Sequence, residues 1–104
     1  MILLIDDSRD GLGYDIVARN SEAGLLVLGA CQGNIEELYI DFDLGYNSKN
    51  NGLFVITRAL RLGILPDKVI IVSSLPQGRK MIQDCLIKNG FEQTKNSYYE
   101  RKHT

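Results

Sequence analysis

A chain of 104 residues, 44% hydrophobic and 24% charged, has the length for one compact domain burying roughly two thirds of its unfolded surface, which excludes disordered-tail and fibrous classes. Twelve basic against thirteen acidic side chains leave a formal net charge of -1. No global field therefore draws the protein to a membrane or to bulk nucleic-acid binding.

Ile2 to Ile5 is a continuous apolar run ended by Asp6 and Asp7, the pattern of a strand buried on both faces. After a turn-rich stretch with Gly11 and Gly13, Tyr14 to Ala18 is a weaker strand candidate whose direction is open. Ser21 reads as an N-cap, with Glu22 in the first turn of a helix through Ala23, Leu25, Leu26, Val27 and Leu28, and Gly29 and Gly33 bracket its end. Leu38 to Ile40 makes a strand that runs into Asp41, Phe42, Asp43, Leu44 and Gly45.

Tyr46 to Gly52, rich in Asn and Ser, reads as a mobile loop, after which Leu53, Ile56, Leu60 and Ile64 recur at helical spacing, predicting a helix over Asn51 to Leu62. Lys68 to Val72 is a β-branched strand ending at Ser73 and Ser74. Pro76 opens a third helix whose apolar face is Met81, Ile82, Cys85 and Leu86, with Asn89 and Gly90 as its stop. Ser97 to Glu100 is an edge strand at best, and about 95–104 reads as that strand with a frayed tail. Its basic cluster of Arg101, Lys102 and His103 carries no functional weight. The alternation of strand and helix predicts one domain over 1–104, a doubly wound α/β unit with right-handed crossovers and helices on both faces of the sheet.

Cys31 and Cys85 lie among apolar neighbours and read as small buried hydrophobes of a reducing compartment. The lone histidine leaves no Cys/His zinc set, so a metal must be held by oxygen, which points to Mg2+ or Mn2+. The acidic opening does not fit a signal peptide or a membrane span, and the expected compartment is the cytoplasm.

Three strands place polar residues at the carboxyl edge, where open α/β sheets bind ligands. They bring Asp6 and Asp7, then Asp41 and Asp43, then Ser73 and Ser74. Four converging carboxylates would raise each other's proton affinity unless a hard cation compensates. Asp41 and Asp43, two apart, share one face in extended chain. The segment Ser73, Ser74, Leu75, Pro76, Gln77, Gly78, Arg79 joins a strand to a helix start, where free amides favour an anion. Gly78 would permit close main-chain approach and Arg79 a forked contact to phosphate. The plainer alternatives are that Asp6 and Asp7 merely end a strand and that Ser73 or Ser74 merely caps a helix. Tyr14 and Tyr46 read as packing or loop residues.

Leu4, Ile5, Asp6, Asp7 with Arg9, then Leu38 to Gly45, then Asn51 and Gly52, and last Ser73 to Arg79 together resemble the cyclic-phosphate processing receiver-like family, relatives of response-regulator receivers. The resemblance implies a three-layer, flavodoxin-like receiver domain with a mostly parallel sheet of four or five strands and the first receiver helix shortened or absent. It implies a metal site at Asp6, Asp7, Asp41 and Asp43, chemistry at Asp41 and Asp43, and phosphate contacts from Ser73, Ser74, Gly78 and Arg79. The family's histidines become Phe42 and Val72 here, and its asparagine becomes Leu75. The receiver lysine after the fifth strand has no secure counterpart, which disfavours a routine phosphorelay. Two readings stay open. One is metal-dependent binding, with hydrolysis as a further step, of a cyclic or terminal phosphate or phosphodiester on a nucleotide-like ligand. The other is a non-catalytic module that binds a phosphorylated ligand or a protein partner.

Overall fold

In the computed structural model, which describes residues 1–45 and 50–103, strand β1 (Ile2–Ile5) lies inside the sheet and its Leu3, Leu4 and Ile5 are wholly buried. It pairs in parallel with β2 (Ile16–Ala18) on one side and β3 (Glu37–Ile40) on the other, and β3 pairs in parallel with β4 (Lys68–Ile71). The connection from β1 to β2 contains no helix, so the first receiver helix is absent. The direction left open for β2 is parallel. The part of the expected loop at 46–49, including Tyr46, lies outside the described residues.

Local chemistry sets each helix boundary. Helix α1 (Ser21–Ala30) is capped one residue earlier than expected, by Asn20, whose side chain accepts from the Ala23 amide at 2.8 Å. Ser21 is instead the first helical residue, and its amide donates to Asn50 Oδ1 at 2.9 Å. Helix α2 (Gly52–Leu62) starts at the Asn51 cap and ends at Gly63, whose φ of 70° needs a residue without Cβ strain. Helix α3 (Pro76–Lys88) has Leu75 at its N-cap position with no side-chain cap bond, so neither Ser73 nor Ser74 caps it.

Beyond α3 the chain departs from expectation. Phe91–Lys95 forms β5 and Tyr98–Arg101 forms β6, giving the six-stranded order β2-β1-β3-β4-β6-β5. The segment expected as an edge is interior: β6 lies antiparallel between β4 and β5. Arg101 is not frayed, since it ends β6 and pairs with Asp67 at 2.8 Å. β5 escaped notice because only Phe91 of its five residues is buried, so no apolar alternation marks it.

The helices pack in a row, α1 on α2 and α2 on α3. They cover the face built from Leu3, Ile5, Leu38, Ile40, Val69, Ile71 and Tyr99. The class and the mostly parallel sheet are those expected, but cover on both faces is not: among the described residues no helix lies on the other face. Right-handed crossovers that all step in one direction from β2 put all three helices on one side. The two steps in the opposite direction, β1 to β2 and the β5–β6 hairpin, contain no helix. Tyr14 of the β1–β2 loop packs edge-on against Tyr39, centroids 5.1 Å apart, over the second face. No helix among the described residues is long and apolar enough to cross a membrane.

Candidate metal and phosphate site

Register brings the acids together. Ile5 is the partner of Ile40, and Ile40 of Ile71, so the three strands end side by side. The ladder continues one step past them: the Asp41 amide donates to the Ile5 carbonyl and the Val72 amide to the Ile40 carbonyl, both at 3.0 Å. Asp6, Asp7 and Asp41 each offer a carboxylate oxygen, all within 4.8 Å of one another.

Asp6, only 2% exposed, has its charge answered locally. Its Oδ1 accepts from the amides of Ser8 at 3.0 Å and Arg9 at 2.9 Å, and its Oδ2 accepts from Arg9 Nε at 3.1 Å. Burial pushes this carboxyl up, but the two amides and the Arg9 guanidinium outweigh it and hold Asp6 below its ordinary value. Asp41 moves the other way. Burial raises it, the Asp6 charge adds to that, and hydrogen bonds from the Ser73 hydroxyl and from the amides of Phe42 and Asp43 only partly offset them. Two neighbouring carboxylates are thus pushed apart in proton affinity, an arrangement common at reactive centres.

Asp43 does not join them. The extended chain stops at Ile40, Asp43 forms a bridge with Asn51, and Leu44 enters the core at 2% exposure. The exposed Asp43 side chain accepts from the Gly45 amide at 3.3 Å. The expectation that Asp41 and Asp43 share one face fails because it assumed a strand where the chain turns. Gly52 makes that turn compact: a Cβ there would lie 2.3 Å from the Asp41 carbonyl.

The expected phosphate cradle is also built differently. A Cβ on Gly78 would lie 2.4 Å from Phe42 Cγ, so the close approach that this glycine permits is by the Phe42 ring. Arg79 points inward, Nη1 donating to the carbonyls of Ile71 at 3.2 Å and Ser73 at 2.8 Å, and Nη2 to the Ser97 hydroxyl. A forked contact to phosphate is therefore not its arrangement here. Ser73 is buried and its Oγ accepts from the Leu75 amide at 3.2 Å, whereas Ser74 is exposed.

Arg9 is the residue whose role at the site sequence reasoning missed. Besides Asp6 it donates from Nη2 to the Val72 carbonyl at 2.8 Å, tying the β1 tip to the β4 tip. The signal was a strand-ending aspartate followed three residues later by arginine. Arg19 adds a second brace, donating to the carbonyls of Asp6 at 3.2 Å and Arg9 at 2.6 Å.

Three carboxylate oxygens at such mutual distances, with no nitrogen or sulfur donor among them, fit a hard divalent ion that keeps part of its water shell. A family model described as the cyclic-phosphate processing receiver domain matches residues 1–88. No curated protein and no solved structure matches significantly.

Proposed function

The chain belongs to the cyclic-phosphate processing receiver domain family, and from that premise we propose that it binds Mg2+ or Mn2+ together with a cyclic or terminal phosphate of a nucleotide-like ligand. The observation that carries this reading is the gathering of Asp6, Asp7 and Asp41 from two strand ends into one oxygen cluster. Asp6 and Asp7 would hold the cation with Asp41. A divalent ion there supplies Lewis-acid polarisation of a phosphoryl oxygen. Asp41, with the higher proton affinity of the buried pair, would take the proton of an attacking water, or would itself bond to phosphorus, as the P–O ester bond breaks and the departing oxygen takes a proton from solvent. The exposed Ser74 hydroxyl steadies the phosphate, and the buried Ser73 hydroxyl keeps Asp41 aimed.

A second reading, ligand binding without turnover, is favoured by one observation. The position of the family's first histidine holds Phe42, which packs on Gly78 and has no proton to give.

Calorimetry with Mg2+ and Mn2+, followed by phosphate-release assays on a panel of cyclic nucleotides, tests both readings. Cation binding that Asp41→Ala abolishes supports the site, and cation-dependent product formation decides for hydrolysis over simple binding. Wild-type protein that binds neither cation would sink the proposal.

A further inference from the structure

The Arg79 side chain joins three segments: α3, which carries it, the end of β4, and the turn between β5 and β6. Its Nη1 holds the Ile71 and Ser73 carbonyls at 3.2 and 2.8 Å, and its Nη2 holds the Ser97 hydroxyl. Ser97 sits at a φ of 70° and gives its own carbonyl to the Ile71 amide at 2.9 Å. It lies beyond residues 1–88, the part of the chain that the family match covers. Ser73, whose carbonyl Arg79 holds, is 2% exposed. Its Oγ accepts from the Leu75 amide at 3.2 Å, and its hydroxyl lies close enough to Asp41 to favour the charged carboxylate.

We propose that Arg79 is a positioning residue of the acidic site, acting on cation binding through Ser73 and Asp41 and not by touching phosphate. The inference rests on the reading above, because it needs the triplet to be a cation site. Its physical basis is order at a strand tip. β4 ends at Ile71, so the turn from Val72 to Leu75 has few ladder bonds to select one conformation. Charge-assisted donation from one planar guanidinium to the Ile71 and Ser73 carbonyls, beside the Arg9 bond to the Val72 carbonyl, makes that selection. The Ser73 hydroxyl is then held where it can orient Asp41 before any cation arrives, which is how groups behind the direct ligands tune metal affinity. Ser97 keeps the guanidinium from swinging outward, which gives the β5–β6 hairpin a part in the site.

The test uses the full chain and Mn2+ alone, with no phosphate present, and reads affinity by calorimetry and by electron paramagnetic resonance of the free ion. Thermal unfolding of each variant reports folding. Arg79→Gln and Ser73→Ala are each expected to weaken Mn2+ binding about tenfold, the usual cost of losing a supporting partner. The double variant is expected to be no weaker than either single one, since both changes break one chain of contacts. Arg79→Lys, whose ammonium can keep a carbonyl contact, is expected to recover part of the loss. Should Arg79→Gln fail to fold, Ser97→Ala removes only the third partner. It is expected to weaken Mn2+ binding in the wild-type background and to change nothing in the Ser73→Ala background. Wild-type Mn2+ affinity in Arg79→Gln, or losses that multiply in the double variant, would overturn the inference and leave the functional reading intact. Wild-type protein that binds no Mn2+ would overturn the functional reading and this inference with it.

Discussion

Phe42 and Gly78 are mutually dependent: the aromatic ring of one occupies the place where a Cβ of the other would be, 2.4 Å from Phe42 Cγ. Phe42 leaves the β3 tip and Gly78 lies in the first turn of α3, so this contact helps to set how closely the helix approaches the site.

Gly78→Ala is accordingly expected to destabilise the domain by about 1–3 kcal/mol through overpacking. In a Phe42→Ala background the cost should shrink but not vanish, because the ring is gone while the Cβ of residue 42, 2.7 Å from the new methyl, remains. Urea unfolding of the four proteins checks this. A glycine-to-alanine effect that is the same in both backgrounds would refute the steric coupling.

Asp41 carries a pH signature. Its folded-state proton affinity is raised by burial and by Asp6, so between the unfolded and folded values the folded state holds more protons. In that window stability falls as pH rises, and above it the full penalty for the charge remains. Asp41→Asn removes the penalty and should raise the melting temperature at pH 7 by a few degrees, about what 1 kcal/mol does in a domain of this size. The advantage should shrink as pH drops through the folded value and vanish below the ordinary carboxylate range. Melting curves from pH 3 to 8 decide the matter, and an advantage that is constant with pH would contradict it.

Asp6 has the opposite sign. Its proton affinity is lowered by the Ser8 and Arg9 amides and by the Arg9 guanidinium against the effect of burial. Its contribution is therefore fully present above the ordinary carboxylate value and is lost as pH falls through the lowered one. Asp6→Ala leaves two amide donors and a half-exposed guanidinium without their acceptor, for a cost of about 1–3 kcal/mol at neutral pH. Asp7→Ala, at an exposed position, should leave stability nearly unchanged and reduce Mn2+ affinity alone. Chemical unfolding beside calorimetry separates the two roles.

Asp43→Ala should leave Mn2+ affinity at its wild-type value, because Asp43 stands outside the triplet. Gly52→Ala should lower both stability and Mn2+ affinity, since its Cβ would meet the Asp41 carbonyl at 2.3 Å and main chain must move. A loss of affinity in Asp43→Ala matching that in Asp41→Ala would put four acids back into the site.

Elements whose signals are local were readable from the residues alone. The apolar run before Asp6 and Asp7 marked β1, the β-branched run from Lys68 marked β4, and Asn51, Pro76 and Gly90 marked helix limits, because a cap or a turn acts on its own neighbours. Asp6, Asp7 and Asp41 were readable in the same way, since polarity at a strand end is visible without any partner strand. Features that depend on strand pairing and chain direction became visible only in the folded chain. Strand β5 is legible only beside β6. The single helical layer follows from the order in which parallel strands are crossed. Asp43 is excluded by a turn held by Asn51, and Arg79 faces inward because the Ile71 and Ser73 carbonyls and the Ser97 hydroxyl gather around it. Local propensity acts over a few residues, whereas strand register and the aim of a long side chain are set by groups brought near only when the whole chain has folded.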